Sequence, residues 1–95
     1  MTGCYILFSE KLKKYYVGVT QEDIDTRTLK HNTHFYGNHR FTAQVDDWEL
    51  FLLIPTTNFA QAVRIERKIK SMKSTQYIKN LEKYPELIQR LVSST

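Results

Sequence analysis

The chain has one cysteine, three glycines and two prolines among its 95 residues. A lone thiol, Cys4, excludes a disulfide framework and a zinc site built on cysteine pairs, and the lack of a disulfide suits a reducing compartment. No apolar run approaches the roughly 20 residues that span a bilayer. The opening Met1-Thr2-Gly3-Cys4-Tyr5 has neither the basic segment nor the long apolar stretch of a secretion signal. These absences lead us to expect a cytoplasmic protein with no membrane association. No glycine-rich phosphate loop and no G-x-S-x-G nucleophile turn is present. No low-complexity stretch, internal repeat or linker interrupts the chain, so a single domain over residues 1–95 is expected. Acidic residues are in deficit: 14 Lys and Arg against 10 Asp and Glu give a net charge of +4. That balance leans toward a polyanionic partner without saying anything of the fold.

What is present is enough to build one core, with 41% hydrophobic residues. Cys4–Phe8 and Tyr15–Thr20 are short runs of strand formers. The polar stretch Ser9–Lys14 between them reads as the loop of an antiparallel hairpin. Gln21-Glu22-Asp23 suits a helix start and Lys30-His31 its end, which predicts a helix over Ile24–Asn32. Thr33–Asp47, polar and aromatic with a glycine, reads as a loop. Trp48–Ile54 is nearly continuous apolar sequence and predicts a buried central strand stopped by Pro55. Asn58 and Gln61 have the spacing of a capping box, opening a helix to about Lys73. Ser74 caps a further helix through Lys83, and Pro85 fits the first position of a last one to Val92. The order β-β-α-β-α-α-α is an α+β fold with a small sheet and helices packed on it.

Three groupings stand out. Pairing Tyr5 with Tyr16 across the hairpin puts both phenols on one face of the sheet; tyrosines are also ordinary strand residues covering a core. Arg27 and His31 are four apart on one helix face, which by itself is a solvated basic face. Glu66 is more telling. It falls within the apolar arc of Phe59, Ala62, Val63, Ile65, Ile69 and Met72, where a carboxylate is costly unless paired or metal-bound. An ion pair with Lys70 or Arg27 is the structural alternative. His34 and His39 in the loop make only a weak zinc signal.

Gly3-Cys4-Tyr5 followed after ten residues by Tyr16-Val17-Gly18 resembles the motif pair of the GIY-YIG nucleases. Thr20–Asn32 is similar to that family's first-helix motif, with Arg27 and His31-Asn32 in register. Phe41-Thr42 with Trp48-Glu49 resembles the segment leading to its third strand, and Ala62–Lys70 the glutamate helix of its small, single-domain bacterial members. The similarity spans roughly residues 3–83 and extends to the N-terminal nuclease domain of the bacterial excision-repair subunit. Cys4 and Val17 stand where the motif has isoleucine, keeping an apolar residue. Many members carry an asparagine in a late helix, for which Asn80 is the candidate; for a further histidine or tyrosine of the central loop, Tyr36, His39 or neither qualifies.

The resemblance implies a three-stranded antiparallel sheet flanked by helices, and Mg2+- or Mn2+-dependent hydrolysis of DNA phosphodiesters at Tyr5, Tyr16, Arg27, His31 and Glu66. In that scheme Glu66 holds the metal and Arg27 grips the phosphate. Tyr5, its pKa lowered by metal, Arg27 and Lys14, deprotonates the attacking water; Tyr16 positions that water and His31 relays or accepts a proton. Lys14, Arg40, Lys70, Lys73 and Asn80 are candidates for holding DNA, within a wider set of Lys11, Lys13, Lys68 and Lys79. Branched or flapped DNA in repair or mobile-element defence is one expected use. A catalytically inactive nucleic-acid-binding or partner-recruiting module is the alternative, and a homodimer or a targeting partner stays open.

Overall fold

The computed structural model describes residues 1–95. Strands β1 (Gly3–Ser9) and β2 (Lys14–Thr20) form the hairpin; α1 (Ile24–Asn32), a single 3-10 turn (Phe41–Gln44), β3 (Trp48–Pro55), α2 (Phe59–Met72), α3 (Thr75–Lys83) and α4 (Pro85–Ser94) follow. The sheet is antiparallel throughout, in the order β2-β1-β3. No helix is long and apolar enough to cross a membrane.

Helix starts follow the side-chain chemistry of their caps. Asp23 accepts from the Thr26 amide, and Ser74 Oγ accepts from the Tyr77 amide at 3.0 Å. Asn58 Oδ1 accepts from the Gln61 amide at 2.8 Å, while the Gln61 side chain returns to the Thr57 amide at 3.1 Å, one residue before the cap. These bonds satisfy amides that the first helical turn leaves free. The hairpin loop is closed from outside: Asp47 accepts from Ser9 Oγ at 2.7 Å and from the Lys11 amide at 2.9 Å. Lys13 completes the turn in the left-handed region, φ 55.

Three expectations are corrected. Tyr5 pairs with Gly18, and Tyr16 with Leu7, so the register is displaced by two residues from a Tyr5–Tyr16 pairing. A shift of two preserves the face on which each side chain lies, and the phenols remain together with ring centroids 6.3 Å apart. The central strand is β1, buried along almost its whole length, whereas β3 is an edge. Its nearly continuous apolarity reflects a bulge, since Ile6 pairs with Leu52 but Leu7 with Leu50, leaving Phe51 as an extra residue. Finally, the Thr33–Asp47 segment contains the 3-10 turn, held by the Trp48 indole donating to the Thr42 carbonyl at 2.8 Å.

Strand alternation divides the core in two. Cys4, Ile6, Val17 and Ile54 pack under Ile65, Ile69, Ile78, Leu81 and Leu91 of α2–α4. Tyr5, Leu7 and Trp48 form the other face, with Tyr16, Ile24, Val45 and Leu53 against them. Asn32 pins α1 to this second face: its Nδ2 donates to the Trp48 carbonyl at 2.9 Å and its Oδ1 accepts from the Trp48 amide at 2.8 Å. Asn32→Ala leaves both backbone groups without partners and is expected to cost about 2 kcal/mol, seen as a fall of roughly 10 °C in thermal unfolding. Asn32→Asp, which keeps the acceptor, is expected to cost less.

Candidate active site

Tyr5 projects from the central strand and lies across Gly18 of β2. A Cβ at Gly18 would sit 2.6 Å from the Tyr5 hydroxyl and 2.7 Å from Cζ, so glycine is what lets the phenol cross the edge strand. Beyond Gly18 the hydroxyl meets α1. Arg27 Nε donates to it at 3.1 Å, and His31 Nε2 lies 2.8 Å from it. The spacing of four along α1 puts both partners on one face. His31 Nδ1 is 2.8 Å from Thr42 Oγ1, which closes a buried chain of four side chains.

This chain backs a hollow of about 180 Å³ lined by Tyr16, Arg27, His31, Tyr36, Arg40, Phe41 and Thr42. The Arg27 guanidinium carbon stacks 4.6 Å from the centre of the Tyr36 ring, whose hydroxyl is buried without a hydrogen-bond partner. Glu22 approaches Arg27 to 3.8 Å but is bound more closely by Lys30, at 2.9 Å. Tyr16 and Phe41, with nearly parallel rings 6.4 Å apart, also line a second hollow of about 410 Å³. That groove carries Lys13, Lys14, Lys70 and Lys73 and no acidic residue in its lining. Lys73, like Lys13, adopts a left-handed backbone.

The electrostatics follow from burial. His31 is 3% exposed; desolvation, then the charges of Arg27 and Arg40, lower its pKa from 6.5 to about 4. Tyr5 is fully buried. The expected lowering of its pKa is reversed: desolvation outweighs the hydrogen bond and charge of Arg27 and raises the phenol well above its usual range. Lys14 takes no part in that balance. The Cys4 thiol is pushed up to about 12 by burial and then by Glu66, so Cys4 is an inert core residue.

Four of the five expected catalytic residues thus converge. Glu66 rises from α2, which packs on the opposite face of the sheet, near Cys4. It is partly buried and paired with Lys70 at 3.4 Å, while Lys70 itself is 54% exposed. Of the wider set, Lys14, Lys70 and Lys73 line the larger groove and Arg40 the smaller hollow. Asn80 lies elsewhere, between α3 and α4 beside Tyr84 and Arg90. Lys11 is tied to Asp46. His39 is exposed, so among the loop candidates Tyr36 is the residue at the hollow. Thr42 had no signal of its own in the sequence, beyond standing in a segment of family resemblance.

No three His, Cys, Asp or Glu side chains gather anywhere to form a protein-only metal cage. Glu66, 20% exposed and paired with Lys70, is the single carboxylate that would hold Mg2+ or Mn2+, ions that commonly take one or two carboxylates and complete their shell with water and phosphate oxygens.

Residues 1–83 match the family described as the GIY-YIG catalytic domain. The chain belongs to the GIY-YIG family. Comparison with curated proteins and with solved structures returned no match. This is a nuclease-type domain, and GIY-YIG nuclease domains act on DNA.

The depressed His31 pKa has a consequence for stability. Between pH 6.5 and about 4 the unfolded chain takes up a proton at this imidazole that the folded chain refuses. The contribution is therefore complete above pH 6.5 and is lost as pH falls through about 4. Denaturant unfolding should lose up to about 3 kcal/mol across that window on this account. His31→Gln should remove most of that dependence.

Proposed function

We propose that the protein is a metal-dependent DNA endonuclease in which a phosphodiester seats in the arginine-lined hollow and the strand crosses the edge of β2 toward Glu66. The observation that carries this reading is the convergence of Arg27 and Arg40 on one small hollow beside Tyr16 and Tyr36. Two guanidiniums match the oxygens of a phosphate.

Hydrolysis requires a water oxygen to bond to phosphorus as the bond to the 3′ oxygen breaks. Arg27 and Arg40 stabilise the charge that accumulates on the nonbridging oxygens. Tyr16 lines both hollows and is the phenol at the water's approach, whereas the Tyr5 hydroxyl is enclosed and committed to Arg27 and His31. Tyr16 therefore orients the water and serves as the general base for its proton, and Tyr5 and His31 hold Arg27 in place. Glu66, freed from Lys70, would hold Mg2+ or Mn2+, which supplies Lewis acidity at the leaving oxygen when bound. Lys14, Lys70 and Lys73 carry the adjoining backbone phosphates through the larger groove.

The test is cleavage of plain, nicked, branched and flapped DNA with Mg2+ or Mn2+. Arg27→Ala and Glu66→Gln are each expected to lower kcat by about 10²–10³. Tyr16→Phe should lower the rate by roughly 10²–10⁴. DNA binding without cleavage on every substrate would instead support an inactive binding module.

The groove makes a separate prediction. Lys14→Ala and Lys73→Ala should each reduce the slope of log affinity against log salt by about 0.9 on duplex DNA, measured by fluorescence anisotropy. Lys11→Ala, at a residue paired with Asp46 outside both hollows, should leave the slope unchanged.

A further inference from the structure

We infer that Thr42 is a positioning residue of this site: its hydroxyl accepts from His31 Nδ1 and so supports the tautomer that the Tyr5–Arg27 hydrogen bond requires. The inference rests on the nuclease reading for its consequence and on hydrogen-bond chemistry for its geometry.

The direction of each bond can be worked out from one end. Arg27 Nε can only donate, so the Tyr5 oxygen accepts. Tyr5 must then place its own hydrogen. It is fully buried and lines neither hollow, so its acceptor is His31 Nε2 at 2.8 Å. That nitrogen must be bare, which puts the imidazole proton on Nδ1. Nδ1–H in turn donates to Thr42 Oγ1 at 2.8 Å. Thr42 lines the smaller hollow, so its own hydrogen can turn toward water or ligand there. The opposite arrangement, with Thr42 donating and Nε2 protonated, strands the Tyr5 hydrogen in a dry place without an acceptor.

The backbone is arranged to hold Thr42 at this point. The Trp48 indole grips the Thr42 carbonyl, and Asn32 grips the Trp48 backbone. Neighbouring residues of α1, His31 and Asn32, thereby clasp the same turn from two directions. The charged and titratable groups around the imidazole are Arg27 from α1, Tyr5 from β1, Tyr16 from β2, and Tyr36 and Arg40 from the loop. None of these is placed to hold Nδ1 as Thr42 does. Without the Thr42 hydroxyl the Nδ1–H loses its acceptor, which shifts the balance of tautomers toward Nε2–H. That Nε2–H would then compete with Arg27 for the Tyr5 oxygen and loosen the guanidinium facing the phosphate.

Imidazole nitrogen NMR on the full chain reads the tautomer directly, and cleavage assays read the consequence. Wild type is expected to carry the proton on Nδ1. Thr42→Val, nearly isosteric, should shift His31 toward Nε2–H and lower kcat/KM by about 10–100-fold. Thr42→Ser should restore both. An Nε2–H tautomer in the wild-type protein would overturn the inference whether or not the valine variant folds. So would a valine variant that keeps both the Nδ1–H tautomer and full cleavage. If wild-type protein cleaves no DNA, the nuclease reading fails while the spectrum still decides whether Thr42 sets the imidazole.

Discussion

A single buried oxygen, the hydroxyl of Tyr5, organises the catalytic face. It sits above Gly18, accepts from Arg27 and faces His31 Nε2. Everything around it follows from that position. Glycine is needed beneath the ring because a methyl group there would overlap it. Arginine and histidine must stand one helical turn apart to reach the same atom. The phenol must come from the central strand, because only from there does its ring cross the edge strand to meet α1. In water such an oxygen would exchange partners freely. Enclosed here, it binds three secondary-structure elements into one geometry, because a buried polar group without partners is costly.

Much of this was legible in the residues, for physical reasons that differ from case to case. Helix limits were readable because the caps Asp23, Asn58 and Ser74 are local chemistry. The shared face of Tyr5 and Tyr16 survived a register displaced by two, because strand side chains repeat with period two. The exact pairing was not legible: it depends on the loop, where Lys13 takes a left-handed backbone and Asp47 reaches in from just before the third strand. The place of β3 in the sheet was misjudged for a similar reason. A bulge turns Phe51 and Leu52 toward one core, so an edge strand looks apolar on both sides. Thr42 was invisible because its importance lies in one hydrogen bond to a residue eleven positions away.

The edge position of β2 matters to function as much as to topology. With no further strand beside it, the rim of the sheet is open on the side where Tyr16 and Phe41 separate the two hollows. A substrate strand lying over this rim can touch α1 on one face and α2 on the other. Lys70 links the two, since it lines the larger groove and pairs with Glu66. Its ammonium is more than half exposed, so a phosphate that draws it away costs little, exposed ion pairs being weak.

This arrangement also accounts for why the acidic residue stands apart from the other four. Arg27 and Arg40 already crowd positive charge into a small hollow, enough to help keep His31 neutral. A carboxylate placed among them would form a tight pair with a guanidinium and cancel the attraction for phosphate. Glu22, the nearest acid, avoids this by binding Lys30 more closely than Arg27. Glu66, on the α2 side of the sheet, pairs with Lys70 instead, so it neutralises neither guanidinium.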